Sequence, residues 1–170
     1  MTKYLYLLMI IVFMSFNSSA VILADLHKIG HAKMSVLFFD VYDIELLSKD
    51  KNWQPDSYPQ ALKITYLRDI SKEDLLKATK EQWQHIQLKQ PNENLWLKKL
   101  DAIWPDIKEG NGLTILVDPY KTSKFYFTSK EHKNLLIGEI SDPGFGPAFL
   151  DIWLSENTSE PKLRKRLIGK

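Results

Sequence analysis

Apolar and polar residues alternate along the first part of the chain in the way that β-strands require. Between residues 21 and 48 an imperfect alternation passes into the apolar stretch MSVLFF, which predicts one or two strands, buried on both faces near the middle. The polar segment 49–59 contains two prolines and is a predicted turn region. Leu62, Ile64 and Tyr66 then alternate with polar residues, which predicts a half-buried strand.

The apolar spacing changes to a helical period after this strand. Ser71 and Asp74 resemble a capping box, and the apolar residues behind them predict a helix that ends before Pro91. A second predicted helix runs from about residue 92 to Trp104, just before the next proline. The remaining predicted elements are strands at 113–117, 124–127 and 135–140, a helix with Asp142 as N-cap and Pro143 at its first position, and a short helix that opens at Ser159-x-Pro161 and closes at Gly169.

The order of these elements is β-β-β-α-α-β-β-β-α-α, so strands and helices come in separate runs. Such runs favour an α+β fold, in which an antiparallel β-sheet carries a layer of α-helices on one face. The chain of 170 residues shows no internal repeat. We therefore predict a single domain over residues 21–170.

The N-terminus carries the pattern of a signal peptide. Lys3 precedes an apolar run from Tyr4 to Phe16, and the small residues Ser18 and Ala20 follow. The run is shorter than the roughly 20 apolar residues that cross a bilayer. We predict a signal peptide over 1–20, export to the periplasm or the extracellular space, and no transmembrane segment in the mature chain. An uncleaved membrane anchor is the alternative.

Composition and charge exclude several classes of function. The net charge is +2, which gives no general reason to expect nucleic acid or an anionic membrane as a partner. The chain has no cysteine, so disulfides, thiolate metal sites and cysteine nucleophiles are excluded. His27 and His31 would lie about 13 Å apart along a strand and do not form a metal pair. No glycine-rich loop follows a strand, so the sequence gives no support for a phosphate-binding or dinucleotide-binding site. From these observations together we expect neither a metal nor a cofactor.

An arginine and an aspartate stand together where the strand meets the first helix. In one interpretation Arg68 forms an ion pair with Asp69, Asp74 or Asp40 at the corner of sheet and helix. In a second interpretation Arg68 or Lys33 neutralises an anionic head group, and in a third the corner is catalytic. Asp40 lies in an apolar stretch, so we expect it to need a cationic partner, either Lys33 or Arg68.

Two further features allow either a structural or a binding interpretation. Four of the five tryptophans fall on predicted helical stripes, where they belong to the core or line an apolar cleft that suits a lipid or a flat ring. The last helix carries a run of basic residues, which is either a solvated face or a contact for phosphate or anionic lipid. These residues are Lys162, Arg164, Lys165, Arg166 and Lys170.

Four segments of the chain carry a resemblance to a known family. They read IGHAKMSVLFFDVYDIELL at 29–47, LKITYLRDISKEDLLKATKEQW at 62–83, LLIGEISDPGFGPAFLDIWL at 135–154 and SEPKLRKRLIG at 159–169. On these segments the chain resembles bacterial exported proteins of the chalcone isomerase-like group. The resemblance implies an antiparallel sheet with helices layered on one face, an open-faced sandwich. The family includes cyclising isomerases and non-catalytic proteins that bind fatty acids in the same cleft.

The resemblance also implies where polar contacts of the family fall. The ligand-anchoring arginine of the family falls at Lys33, and the lysine of its first helix matches Lys77. The threonine, tyrosine and asparagine of the isomerases fall near Leu37, Asp74 and Glu81, where those side chains are replaced. The resemblance therefore implies a binding protein rather than an isomerase.

These inferences give one main hypothesis and two alternatives. We predict an exported, monomeric and non-catalytic domain of the chalcone isomerase-like type that binds a small apolar or amphipathic molecule, such as a fatty acid or an aromatic acid, between sheet and helices. The alternatives are an intramolecular lyase or isomerase with an altered active site, which requires Lys33, Arg68 and Asp74 in one pocket, and an envelope protein-interaction module without a small ligand. The candidate ligand-binding residues are Lys33, Arg68, Asp74, Lys77, Tyr42 and Tyr66.

Overall fold

A six-stranded antiparallel sheet forms one layer of the protein. The computed structural model describes residues 23–170, so the predicted signal segment 1–20 lies outside the described residues. The strands stand in the sheet in chain order, and each pairs only with its sequence neighbours. They are β1 His27–Val36, β2 Phe39–Ser48, β3 Gln60–Tyr66, β4 Gly112–Val117, β5 Ser123–Thr128 and β6 Leu135–Ile140.

Helices cover one face of this sheet, which confirms the predicted α+β fold. Four α-helices lie within residues 23–170, and a single 3-10 turn, Leu23–Asp25, precedes the first strand. Within that described part of the chain, none of the helices has the length and apolar character needed to cross a membrane. The helices are α1 Lys72–His85, α2 Glu93–Ile103, α3 Phe145–Leu154 and α4 Pro161–Leu167.

The central strands bury alternate side chains beneath the helices. In β3 and β4, Ile64 pairs with Leu113 and Leu62 pairs with Ile115, and all four side chains are buried. Lys63, which points to the other face, is exposed. This alternation is what a sheet with one covered face produces. The covered face of β2, β3, β4 and β5 therefore supplies the floor of the core.

An aromatic cluster joins the helices to one another and to this floor. The rings of Trp83 in α1, Trp96 in α2 and Phe145 in α3 lie with centroids 5.6–6.3 Å apart, mostly edge to face. Such pairs stabilise a core beyond the area that they bury. The indole nitrogen of Trp83 also donates to the carbonyl oxygen of Ala148 at 2.9 Å, so α1 is tied to α3 by a buried hydrogen bond. Trp83 and Trp96 therefore belong to the core, which is one of the two roles that the sequence allowed for the tryptophans.

The edge strand β1 is covered by α4 through a close approach of two backbones. The register of β1 against β2 shifts between Lys28 and Gly30, which marks a bulge at Ile29. A Cβ atom at Gly30 would clash with the carbonyl oxygen of Arg166 and lie 2.5 Å from that of Leu167. Glycine therefore lets the last turn of α4 rest directly on the strand.

The structure refines the first strand prediction, confirms the cap of the first helix and corrects the start of the third helix. The stretch 21–48 forms two strands, one of the two predicted outcomes, but its middle is a tight turn at Leu37 and Phe38 that is exposed and not buried on both faces as predicted. The first helix is capped as predicted, since the Ser71 hydroxyl accepts a hydrogen bond from the backbone N–H of Asp74, and it ends at His85.

Asp142 is not the N-cap of α3. The helix begins at Phe145 with Gly144 as its N-cap, so Pro143 lies before the helix. Asp142 instead opens a turn before the helix, in which its carboxylate accepts a hydrogen bond from the backbone N–H of Gly144 at 2.9 Å and its carbonyl oxygen accepts one from that of Phe145 at 3.1 Å. The second carboxylate oxygen has partners in and just before α2. It accepts hydrogen bonds from the indole nitrogen of Trp96 at 2.9 Å and from the Asn92 amide at 3.0 Å. These bonds hold the start of α3 against α2.

Candidate ligand-binding site

A cavity of about 320 Å³ lies between the floor of the sheet and the helices. Its lining is mainly apolar and comes from most elements of the fold, so that strands and helices have to assemble before it exists. The floor consists of Leu62, Ile64, Tyr66, Leu113, Ile115 and Phe125. The walls include Met34, Val36, Val41 and Tyr42 from the first hairpin, Ile70, Leu75, Ala78, Thr79 and Gln82 in and just before α1, Trp104, and Phe149, Ile152 and Trp153 from α3.

The cavity opens to solvent at one end of the sheet. Val36, Asp74, Ala78 and Ser159 belong to its lining and are also exposed. The mouth therefore lies between the turn that joins β1 to β2, the outer side of α1, and the segment before α4. Across this mouth the Ser159 hydroxyl donates to the side-chain oxygen of Gln82 at 2.8 Å, which ties that segment to α1.

The charged groups of the lining are acidic. Asp74 and Glu160 contribute carboxylates, and among residues 23–170 no lysine, arginine or histidine belongs to the lining. Carboxylates at the mouth disfavour a second negative charge beside them. The electrostatics of the cavity therefore favour a neutral ligand over an anionic one.

Two tyrosines supply the buried polar groups on the sheet side. The Tyr42 hydroxyl accepts a hydrogen bond from the indole nitrogen of Trp153 at 2.9 Å. The rings of Tyr42 and Tyr66 meet edge to face with centroids 6.1 Å apart. Burial raises the pKa of Tyr42 to about 12 and also raises the pKa of Tyr66. Both hydroxyls are thus protonated at neutral pH and offer hydrogen bonds, not negative charge, to a ligand.

The six candidate residues from the sequence divide into two groups. Tyr42, Tyr66 and Asp74 line the cavity, with the tyrosines inside it and the aspartate at its mouth. Lys33, Arg68 and Lys77 are exposed and do not belong to the lining. The arrangement that the isomerase alternative required, with Lys33, Arg68 and Asp74 converging in one pocket, is therefore not present.

Lys33 forms an ion pair with Asp40 on the surface of the first hairpin. Its ammonium group lies 2.9 Å from a carboxylate oxygen of Asp40, whose other oxygen accepts a hydrogen bond from the Ser35 hydroxyl at 2.7 Å. The bond from Ser35, followed by that from Lys33, lowers the pKa of Asp40. Lys33 is thus the predicted partner of Asp40, but Asp40 is exposed and not buried, because the turn at Leu37 places it at the end of the hairpin.

At the corner between β3 and α1, Asp69 forms hydrogen bonds and Arg68 is exposed to solvent. Asp69 accepts hydrogen bonds from the backbone N–H of Glu109 and from the Lys108 ammonium, both at 2.9 Å. These bonds, the backbone one first, lower the pKa of Asp69. The side chain of Arg68 is exposed and forms no ion pair with residues 23–170, so its predicted pairing with Asp69, Asp74 or Asp40 is wrong.

The sequence indicated some residues of the cavity wall and missed others. Trp104 and Trp153 line the cavity, which bears out the cleft interpretation for these two tryptophans. Ser159 and Glu160 precede the last helix and gave no pattern that would place them at a mouth. Their position follows from the packing of α4 on β1, which brings a distant segment over the cavity. Within residues 23–170 there is no group of three or more metal-binding side chains.

Phenylalanine substitutions separate the roles of the two tyrosines. Tyr42→Phe leaves the Trp153 indole N–H without its acceptor, so we expect a loss of about 1 kcal/mol in the free energy of unfolding at pH 7. Tyr66→Phe removes a hydroxyl that has no hydrogen-bond partner among the described residues, so we expect a smaller change. Denaturant titration of both variants and the parent protein at pH 7 measures the difference.

The same pair predicts a loss of stability in alkali. Burial raises both tyrosine pKa values above the value of about 10 for an unfolded chain, so the folded state retains protons that the unfolded state releases. The contribution is fully present below pH 10 and is lost as the pH rises towards 12, the value for Tyr42. Both phenylalanine variants should lose less stability than the parent protein between these pH values. Parallel curves for all three proteins would contradict this.

Comparisons with known proteins connect this geometry to a family. A family model described as chalcone isomerase-like matches residues 24–169. An uncharacterised protein of Haemophilus influenzae is 27% identical over 152 residues, which cover 89% of this chain and 72% of that protein. The crystal structure of a fatty-acid binding protein of Arabidopsis thaliana superposes with a TM-score of 0.65 at 11% identity, over 88% of this chain and 90% of the other. This structural similarity establishes a shared fold.

Proposed function

The chain belongs to the chalcone isomerase-like family, and on that premise we propose that it binds a small apolar or amphipathic molecule in the cavity between sheet and helices, without converting it chemically. The observation that carries the proposal is the cavity itself, which is preformed, apolar inside and open at one end. Its volume of about 320 Å³ lies within the range of small-molecule sites. An apolar tail that enters it leaves water for a wall of aliphatic and aromatic side chains.

The lining favours a ligand whose polar end is neutral. An apolar tail fits the interior, so the polar end would remain at the mouth, close to Asp74, Gln82, Ser159 and Glu160. Hydroxyl, amide and carboxylate groups at this position can bind an alcohol or an ester, whereas the two carboxylates oppose a further carboxylate. We therefore propose a neutral acyl or alkyl compound, in place of the fatty acid or aromatic acid that the sequence predicted.

Two observations support binding without catalysis. The buried titratable groups of the cavity are the two tyrosines, and their raised pKa values keep them from acting as bases at neutral pH. The related fold of the plant fatty-acid binding protein is consistent with a cavity for an acyl chain.

We also propose that the protein resides in the periplasm or outside the cell, because residues 1–20 have the pattern of a signal peptide. The mass of the exported protein tests cleavage after Ala20.

A pair of ten-carbon ligands tests the preference for a neutral head group. We expect decanol to bind at least tenfold more tightly than decanoate at neutral pH, because decanoate places its charge beside Asp74 and Glu160. The difference should narrow as the pH falls to about 4, where the ligand decanoate itself takes up a proton and loses its charge. The shift in tryptophan emission on loss of water from the cavity reports binding, since Trp104 and Trp153 line the cavity.

A charge-removal variant provides the control for this experiment. The double variant Asp74→Asn and Glu160→Gln should bind decanoate more tightly than the parent protein does and leave decanol affinity within about threefold. Mass spectrometry of molecules released on denaturation of the freshly purified protein identifies the natural ligand. Tighter binding of decanoate than of decanol by the parent protein would overturn the neutral head group. Absence of binding for both compounds, with no released molecule, would overturn the proposed function.

A further inference from the structure

Four consecutive apolar side chains project from the end of the first hairpin. Val36, Leu37, Phe38 and Phe39 are 50%, 86%, 98% and 65% exposed, and we call them the apolar turn. We propose that the apolar turn inserts into the surface of a lipid bilayer and holds the mouth of the cavity against it. Among residues 23–170 this is the longest run of exposed large hydrophobic residues.

The residues of the apolar turn are poorly suited to a turn in water. Leu37 has a φ of 56°, in the left-handed region where glycine and asparagine are usual and a branched side chain is disfavoured. Phe38, beside it, exposes almost its whole ring to water. Runs of exposed apolar residues of this length are unfavourable in a soluble protein unless they have a binding role. The composition of the turn therefore calls for an apolar environment around it.

Polar groups stand directly behind the apolar turn, as a bilayer surface requires. Ser35 and Asp40 flank the turn on its two strands, and Lys33 completes their hydrogen-bonded cluster. Ser35 is two residues from Leu37, a distance of about 7 Å along a strand. Surface-bound amphipathic elements enter the boundary of head groups and acyl chains to a depth of about 5–10 Å. The apolar turn can thus enter the acyl region while Lys33, Ser35 and Asp40 remain among the head groups.

The shape of the turn favours a bilayer over a second protein. A stable protein interface buries about 800 Å² on each partner. The apolar turn is instead a narrow projection of four side chains at the tip of one hairpin. A fluid bilayer accommodates such a projection without a preformed pocket. The charges around it also balance, because Lys33 pairs with Asp40 and lies opposite Asp43, so an uncharged membrane surface suffices.

The apolar turn is continuous with the mouth of the cavity. Val36 belongs both to the turn and to the cavity lining, and Met34 and Val41 line the cavity just behind it. Insertion would bring the opening to the level at which acyl chains end in the membrane. A ligand could then exchange between bilayer and cavity without crossing water. This use of the membrane contact rests on the proposed function, whereas insertion itself rests on the turn.

A single fluorescent label tests insertion at a chosen site, because the chain has no cysteine of its own. We would attach an environment-sensitive dye to Phe38→Cys and, as a matched control, to Tyr120→Cys. Tyr120 is 84% exposed. It follows Val117, the last residue of β4, which pairs with Gln60 at the end of the sheet opposite the apolar turn. With phosphatidylcholine vesicles we expect a blue shift and quenching by acyl-chain quenchers at position 38 only. No shift at 38, or equal shifts at both positions, would overturn the proposal.

Charge substitutions test the same contact without a dye. On the exported protein, Leu37→Asp with Phe38→Asp should lower the partition coefficient onto phosphatidylcholine vesicles at least tenfold, and Tyr120→Asp should leave it unchanged. High salt should change the binding by less than twofold, because the turn is apolar. Decanol binding in solution separates the two proposals. If the double variant binds decanol as the parent protein does but no longer binds vesicles, both the ligand-binding proposal and the insertion proposal are supported. If the double variant still binds vesicles, insertion of the turn is wrong, regardless of its affinity for decanol.

Discussion

Substitution of Ile115 by tryptophan should abolish ligand binding while the protein remains folded. We expect at least a hundredfold loss of affinity for decanol, measured by calorimetry, and a melting temperature no lower than that of the parent protein. Ile115 lies in the middle of the floor, where β4 pairs with Leu62 on one side and Phe125 on the other. Its side chain is 2% exposed and belongs to the cavity lining, so a larger side chain at this position extends into the cavity.

The size of the expected effect follows from displacement of the ligand by the new ring. Each methylene group that leaves water for the cavity contributes about 0.8 kcal/mol, so exclusion of only four of them lowers affinity more than a hundredfold. The same ring makes contacts inside a space that is otherwise open, and filling a cavity adds stability in many proteins. A well-packed core would behave differently, because added volume there destabilises the fold.

The control variant places the same residue outside the cavity. Leu95→Trp adds an indole at a position in α2 that is 51% exposed, and it should leave affinity for decanol within about twofold. If Ile115→Trp binds decanol as tightly as Leu95→Trp does, the ligand does not occupy this cavity. If Ile115→Trp is strongly destabilised, the space around Ile115 is already filled. A series of alcohols distinguishes these outcomes, because affinity should rise about fourfold for each methylene until the cavity is full.

The sequence predicted the fold well because its signals are local. The two-residue period of Leu62, Ile64 and Tyr66 and the cap at Ser71 depend on residues within a few positions of one another. The order of strands and helices then leaves few ways to form a sheet with one covered face. The boundary error at the start of α3 concerns a residue with both local and distant partners, because the Asp142 carboxylate accepts hydrogen bonds from the backbone N–H of Gly144 and from the indole nitrogen of Trp96.

The candidate site was predicted only in part, because its charge balance depends on long-range packing. The tyrosines follow from their places on covered strand faces, which a period of two indicates. The positions of the cations do not follow from any period. Lys33 forms an ion pair with Asp40 across a turn. The partner of Asp69 is Lys108, which follows α2 in the sequence, and not the neighbouring Arg68. Glu160 reaches the mouth because α4 packs on β1, a contact between opposite ends of the chain.

Substitution of Gly30 by alanine should therefore affect both stability and the mouth. We expect a loss of about 3 kcal/mol in the free energy of unfolding, because the new methyl group would clash with the carbonyl of Arg166 and lie 2.5 Å from that of Leu167. Backbone atoms cannot move aside as a flexible side chain can, so α4 has to shift as a unit. Denaturant titration measures the global loss, and hydrogen exchange in Pro161–Leu167 shows whether α4 separates first.

Gly110 provides the matched control for this substitution. It has a φ of 84° in a turn, and a Cβ there would have no heavy atom within 4 Å. Gly110→Ala should therefore lower the free energy of unfolding by only about 1 kcal/mol, because alanine adopts a positive φ less readily than glycine does. If α4 separates in Gly30→Ala, Ser159 and Glu160 leave the mouth with it, and decanol affinity should fall at temperatures where the sheet remains folded. Equal losses for the two variants would show that the contact between α4 and β1 is not tight, and that the mouth is held by other contacts.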